Sequence, residues 1–239
     1  MLNDRWKPLT RADPSGGSRL AQYPPSQRPA QASVRGLEHK GGNDPTIYTR
    51  HSNGLEQFFG QIQTEPGLRI LDLSGASQAN IAFITSLGHK LYSEDLLQSL
   101  DLAFGDGDFY ANQAAPARIE AFLEQSLNFP EDHFDGVLAW DVIEYLAPAL
   151  LKATVDRLSR ILKPRSYLLA MFHAEERADP VPEYYYRIFD SSTLLLSFRQ
   201  VRRPAQFFNN RAVEKLFQSF ESVKFFLTRD ALREVIAKR

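Results

Sequence analysis

Residues 69–95 read RILDLSGASQANIAFITSLGHKLYSED, and the fold is decided here. Arg69-Ile-Leu-Asp-Leu73 is a short apolar run of strand length, set off by Gly67. Ser74-Gly-Ala-Ser77 is a turn of small residues. Gln78 to Leu87 suits a helix that Gly88 stops, and Lys90 to Glu94 is a second strand. Strand, helix and strand at this spacing imply a βαβ crossover between parallel neighbours.

The same alternation continues downstream. Leu96 to Phe104 reads as a short helix, and Gly105-Asp-Gly-Asp108 as a turn. Pro116 opens another helix through Gln125, since its missing N–H is not needed in a first turn. Phe134-Asp-Gly-Val-Leu-Ala-Trp140 is a strand. Pro148 begins a helix with Leu151, Val155, Leu158 and Ile161 on one face; Pro164 ends it, and Ser166 to Phe172 is a further strand. After Pro180 the pattern changes, with strands at Thr193–Phe198 and Ser222–Leu227 flanking a helix at Arg211–Phe220. Upstream, Leu55, Phe58, Phe59 and Ile62 mark one face of an amphipathic helix. The expected architecture is α/β and Rossmann-like. It has about seven strands, the first five parallel and strand 69–73 central, with helices on both faces.

Residues 1–45 differ. Six prolines and repeated glycines, with sparse apolar residues of no period, suit a flexible arm that cannot offset its ordering entropy. The domain is expected over 46–239. All 17 Phe lie past residue 57, so the material for a core is there. A net charge of −1 gives no reason to expect nucleic acid or an anionic membrane as partner. The absence of Cys excludes disulfides, thiolate zinc sites and a cysteine nucleophile. MLNDRWKPLT carries charge where a signal peptide needs apolar residues, and no window reaches the roughly 18 apolar residues of a membrane span. A soluble cytoplasmic protein is expected.

In a doubly wound sheet, ligands bind beyond the carboxyl ends of the strands. The turn at 74–77 is therefore the first place for chemistry: small residues let a ligand approach the backbone, and the next helix directs free N–H groups at it. A tight turn needs small residues with or without a ligand. Asp95 stands 23 residues after Asp72, the usual position of the acid that accepts from ribose hydroxyls. It reads equally as a helix N-cap. Glu94 is its neighbour and points the other way.

At these residues the chain resembles the class I S-adenosylmethionine-dependent methyltransferases. Leu71-Asp-Leu-Ser-Gly-Ala76 and Gly88-His-Lys-Leu-Tyr-Ser-Glu-Asp95 are similar to the family's first two motifs. Phe129-Pro-Glu-Asp-His-Phe-Asp-Gly-Val137 resembles the entry to its fourth strand, Asp141-Val-Ile-Glu-Tyr-Leu146 the segment after it, and Leu162-Lys-Pro164 the helix end before strand five. The resemblance implies S-adenosylmethionine as cofactor and a small molecule as methyl acceptor. Asp72, Ser74, Gly75 and Ala76 would lie under the methionine part. Asp95 would hold the ribose, Leu96 would meet the adenine, Glu124 and Gln125 would lie near the adenine amine, and Trp140 and Asp141 would line the pocket. The family turn carries two or three glycines, and here only Gly75 remains.

Methyl transfer from a sulfonium needs proximity and orientation, with a base only where the acceptor loses a proton. His173 is the base candidate, and Tyr184-Tyr-Tyr186 falls where a substrate lid commonly forms. No nucleophilic triad, phosphate loop or metal-ligand cluster is evident. The first reading is methyl transfer to a small molecule. The alternative is a methyltransferase-like binding or scaffold protein without catalysis, for which the missing glycines speak.

Overall fold

The computed structural model describes residues 47–62, 65–174, 180–226, 228 and 232–239. These residues belong to one unit, Arg35–Arg239. The arm expected over 1–45 lies outside the described residues. In chain order the elements are β1 (Ile47–His51), α1 (Asn53–Ile62), β2 (Arg69–Asp72), α2 (Gln78–Ser86), β3 (Lys90–Ser93), α3 (Leu96–Phe104), α4 (Phe109–Asn112), α5 (Pro116–Ser126) and β4 (Phe134–Trp140). A 3₁₀ turn at Val142–Tyr145 follows. Then come α6 (Pro148–Ile161), β5 (Leu162–His173), β6 (Val181–Asp190), β7 (Thr193–Arg202), α7 (Asn210–Leu216), β8 (Ser222–Phe226) and β9 (Leu232–Lys238).

The main sheet has six strands in the order β3-β2-β4-β5-β9-β8. The first four are parallel, and β9 and β8 close the edge in antiparallel pairings. Strand β2 is interior, between β3 and β4, as expected. Two expectations need correction. Four strands rather than five run parallel: between β3 and β4 the chain forms α3, α4 and α5 joined by turns, with no strand among the described residues, and Leu96, Leu100, Phe104 and Phe122 bury a helical face there. The late strand expected at 193–198 does not close the main sheet. It is β7, the centre of a separate antiparallel sheet of order β1-β7-β6.

The core has two halves, one on each face of the main sheet. One lies under α3, α5, α6 and α7. The other joins α1 and α2 to Tyr186, Ile188, Leu194 and Leu196 of the small sheet. The small sheet is tied to the main one by Arg50 of β1, which forms a buried ion pair with Glu234 of β9 and donates to the Leu232 carbonyl at 3.0 Å. The other Glu234 oxygen accepts from the Gly54 N–H at 2.6 Å, so the carboxylate also anchors the start of α1. At that end of α1, Ser52 Oγ accepts from the Leu55 N–H at 3.0 Å, a side-chain cap. The chain leaves β2, crosses to β3 on one side and returns to β4 on the other, so the carboxyl end of β2 is the topological switch point.

Candidate functional site

Strand β2 ends at Asp72, and the turn that follows is shaped by one glycine. Gly75 has φ +88°, and its N–H donates to the Glu94 carbonyl at 3.1 Å. A Cβ at Gly75 would stand 3.1 Å from Cβ of Asp95. Glycine therefore serves both the backbone angle and the close approach of the Asp95 side chain. The residues at 74 and 76 do not have to be glycine for this geometry. The turn thus survives their replacement. The first helical turn of α2 follows with no side chain capping its N–H groups.

Beneath the turn lies Asp72, fully buried. Oδ1 accepts from the Ser74 N–H at 3.0 Å, the Ser74 hydroxyl at 2.7 Å and Trp140 Nε1 at 2.7 Å; Oδ2 accepts from Asn80 Nδ2 at 2.7 Å. A carboxylate has about two acceptor positions on each oxygen; here three donors crowd Oδ1 and one holds Oδ2. Burial pushes the Asp72 pKa up, against the pull of these donors. Asn80 also donates to the Tyr186 carbonyl at 3.1 Å and accepts from the Ile188 N–H at 2.7 Å, which stitches β2 to β6. Trp140 is fully buried at the end of β4, with φ +52°. Its ring stacks on Tyr186 at 4.9 Å between centroids and 12° between planes. A Trp in the left-handed region is a strained conformation held by its surroundings.

Above the turn, Asp95 serves two partners. Oδ1 caps α3 by accepting from the Gln98 N–H at 3.0 Å. Arg199 of β7 lies across both oxygens, at 3.4 and 3.3 Å. Arg199 also pairs through Nε with Glu183 at 3.0 Å, and its guanidinium lies 5.0 Å from the Tyr185 ring centroid. Glu183, fully buried, accepts from Arg202 Nε at 2.6 Å and Gln200 Nε2 at 3.0 Å. Arg202 completes a bidentate pair with Asp101 at 2.8 and 2.7 Å. A continuous run of charge thus links the β6–β7 hairpin to the ends of the main-sheet strands.

A second buried group lies alongside. Glu144 receives the His173 N–H at 2.9 Å and meets His173 Nδ1 at 2.7 Å. Burial alone would lower the His173 pKa, but the hydrogen bond and charge of Glu144, with Asp141, raise it. Burial pushes Asp141 up to about 7, with Glu144 and Glu183 adding to the shift and His173 opposing it. Burial also raises Glu144, against His173.

A cleft of about 610 Å³ opens at the switch point, lined by Ser74, Gly75, Ala76, Asp95, Tyr185 and Arg187 among others. That volume is in the range of small-ligand sites. The cofactor residues expected from the sequence fall into three groups. Ser74, Gly75, Ala76 and Asp95 meet in the cleft. Asp72, Trp140 and Asp141 lie together but buried, sealed by β6. Leu96, Glu124 and Gln125 stand apart: Leu96 is packed in the core, and the other two are exposed in the last turn of α5, the helix expected through Gln125. Asn80, Glu183, Arg199 and Arg202 were not foreseen; for the last three, charged residues among the aromatic and aliphatic ones of 181–202 were the available signal.

No protein-family profile and no curated protein matches the chain. Solved structures do align with it. The 1,6-didemethyltoxoflavin-N1-methyltransferase of Burkholderia thailandensis, crystallised with 1,6-didemethyltoxoflavin and S-adenosylhomocysteine, is 12% identical, with a TM-score of 0.42 over 78% of this chain and 76% of its own. A SAM-dependent methyltransferase of Methanosarcina mazei is 11% identical, TM-score 0.41, over 76% and 96%. One from Aquifex aeolicus is 13% identical, TM-score 0.38, over 77% and 88%.

Proposed function

We propose that the cleft binds S-adenosylmethionine and that the protein transfers its methyl group to a small-molecule acceptor. The observation that carries this reading is the meeting of the Gly75 turn with the Asp95 carboxylate at the switch point of a doubly wound sheet. The backbone of Ser74, Gly75 and Ala76 would run along the cofactor, and Asp95 would accept from its ribose hydroxyls. The bound cofactor supplies an electrophilic methyl carbon. The chain's own part is to hold, orient and exclude water, for which buried Trp140 and Tyr186 form an apolar floor. His173, the base candidate, is held in place by Glu144 under the hairpin.

The fit is good on the ribose side and closed on the other. Asp72 is fully buried with four protein donors already on it, and Trp140 stacks on Tyr186 beneath the turn. That observation favours a second reading, a methyltransferase-like binding protein without catalysis. Calorimetric titration with S-adenosylhomocysteine separates the two. On the first reading the wild type binds and Asp95→Ala binds at least about tenfold more weakly, since a hydrogen bond to a charged acceptor contributes about 1.5–3 kcal/mol. On the second, the wild type gives no heat at millimolar ligand and Asp95→Ala changes stability alone.

A further inference from the structure

Arg199 takes up much of the acceptor capacity of Asp95: Oδ1 is shared between the Gln98 N–H and Arg199, and Oδ2 accepts from Arg199. The way Arg199 reaches Asp95 is unusual. Within the β6–β7 ladder Glu183 pairs with Gln200 and Tyr184 pairs with Phe198, which leaves Arg199 as the extra residue of a β-bulge. A bulge re-aims one side chain out of the alternation of its strand. Here it directs a guanidinium onto the carboxylate at the mouth of the cleft, while Nε keeps its ion pair with buried Glu183. The two contacts differ in surroundings. The Asp95 oxygens accept hydrogen bonds at 3.3 and 3.4 Å with a quarter of that side chain exposed, whereas Glu183 Oε1 stands 3.0 Å from Nε in a fully buried place, as an ion pair without hydrogen-bond geometry. The wetter, more screened end of the bridge is the one on the cleft.

We propose that Arg199 is an internal latch: it occupies the ligand-facing side of Asp95 and holds the β6–β7 hairpin over the cleft, and ligand binding displaces it. This rests on the reading of the cleft as the cofactor site. The latch makes hairpin closure and ligand binding compete for one carboxylate, so affinity in the wild type is reduced by the fraction of molecules in the closed state.

The test is titration of S-adenosylhomocysteine into wild type, Arg199→Ala, Arg199→Gln and Asp95→Ala. The glutamine variant keeps a polar side chain at position 199 and removes the charge from Asp95. Both Arg199 variants should bind about tenfold more tightly than wild type, within the usual range of coupling between linked equilibria. Amide exchange in 193–202 of the wild type should quicken on saturation with S-adenosylhomocysteine, a readout that does not depend on the variants folding. Equal or weaker binding by both Arg199 variants, or unchanged exchange in 193–202, overturns the latch; the cofactor reading then still stands on wild-type binding and its loss in Asp95→Ala. No heat from wild type or from either Arg199 variant at millimolar ligand overturns both.

Discussion

Asp141 shows how far a single side chain can be carried from its behaviour in water. Its carboxyl is buried, and ionising it adds negative charge near Glu144 and Glu183. The folded pKa of about 7 lies above the unfolded value near 3.8, so the folded protein holds the proton over the interval between them. The unfolded state binds fewer protons there, and stability falls as pH rises through that interval, with a slope of up to about 1.4 kcal/mol per pH unit for one proton. His173 contributes with the same sign, because its pKa is raised as well. Thermal melts between pH 5 and 8 should therefore show decreasing stability, and Asp141→Asn should flatten the curve. A wild-type curve that rises over this interval would count against a protonated Asp141. The sequence could not supply this. Asp141 follows Trp140 and shares a turn with Glu144, but His173 and Glu183 meet it only when separate segments converge.

Among the elements, strand β4 is the most tightly specified. Gly136 faces α1, and a Cβ there would come within 2.6 Å of the Phe58 ring. The Phe58 ring is fully buried and packed edge-on against Phe59 at 5.4 Å, so it has little room to withdraw. Gly136→Ala should cost about 1–3 kcal/mol, the usual range for overpacking, read from the denaturant midpoint. Elements of this kind were legible in the sequence. Strand 134–140 matches its expected bounds, and the next helix begins at Pro148 as expected because periodicity and that proline act locally; it ends at Ile161, ahead of Pro164, which lies within β5. Strand β6 was not legible. Three consecutive tyrosines and a bulge after Glu183 break its alternation, and its burial comes from the hairpin fold itself. Strand β1 reads as nothing in isolation, since Arg50 inside it is an acceptable strand residue only with Glu234 opposite. Of the site, the turn and Asp95 were visible because spacing along one βαβ unit sets them. The occupation of Asp95 by Arg199 was not, because the partners lie 104 residues apart.

At the scale of the whole unit, one ion pair binds the small sheet to the large one. Arg50 and Glu234 are both buried, and the pair also organises the Gly54 amide and the Leu232 carbonyl. Removing one partner leaves a buried charge uncompensated, so Arg50→Ala should destabilise by about 3–5 kcal/mol in equilibrium unfolding. The double variant Arg50→Met with Glu234→Leu should recover much of that loss, since apolar residues of similar volume often replace a buried pair at little cost. A double variant no more stable than Arg50→Ala would show that the pair is needed for more than charge balance.

The two residues of that pair are 184 positions apart. During synthesis, Arg50 leaves the ribosome long before its counter-charge has been made. At about 5–20 residues per second, the interval is on the order of 10–40 seconds. Throughout it Arg50 and the amino end of α1 lack the Glu234 carboxylate on which they close. The nascent chain must therefore wait for β9 to emerge before β1 is secured to the larger sheet.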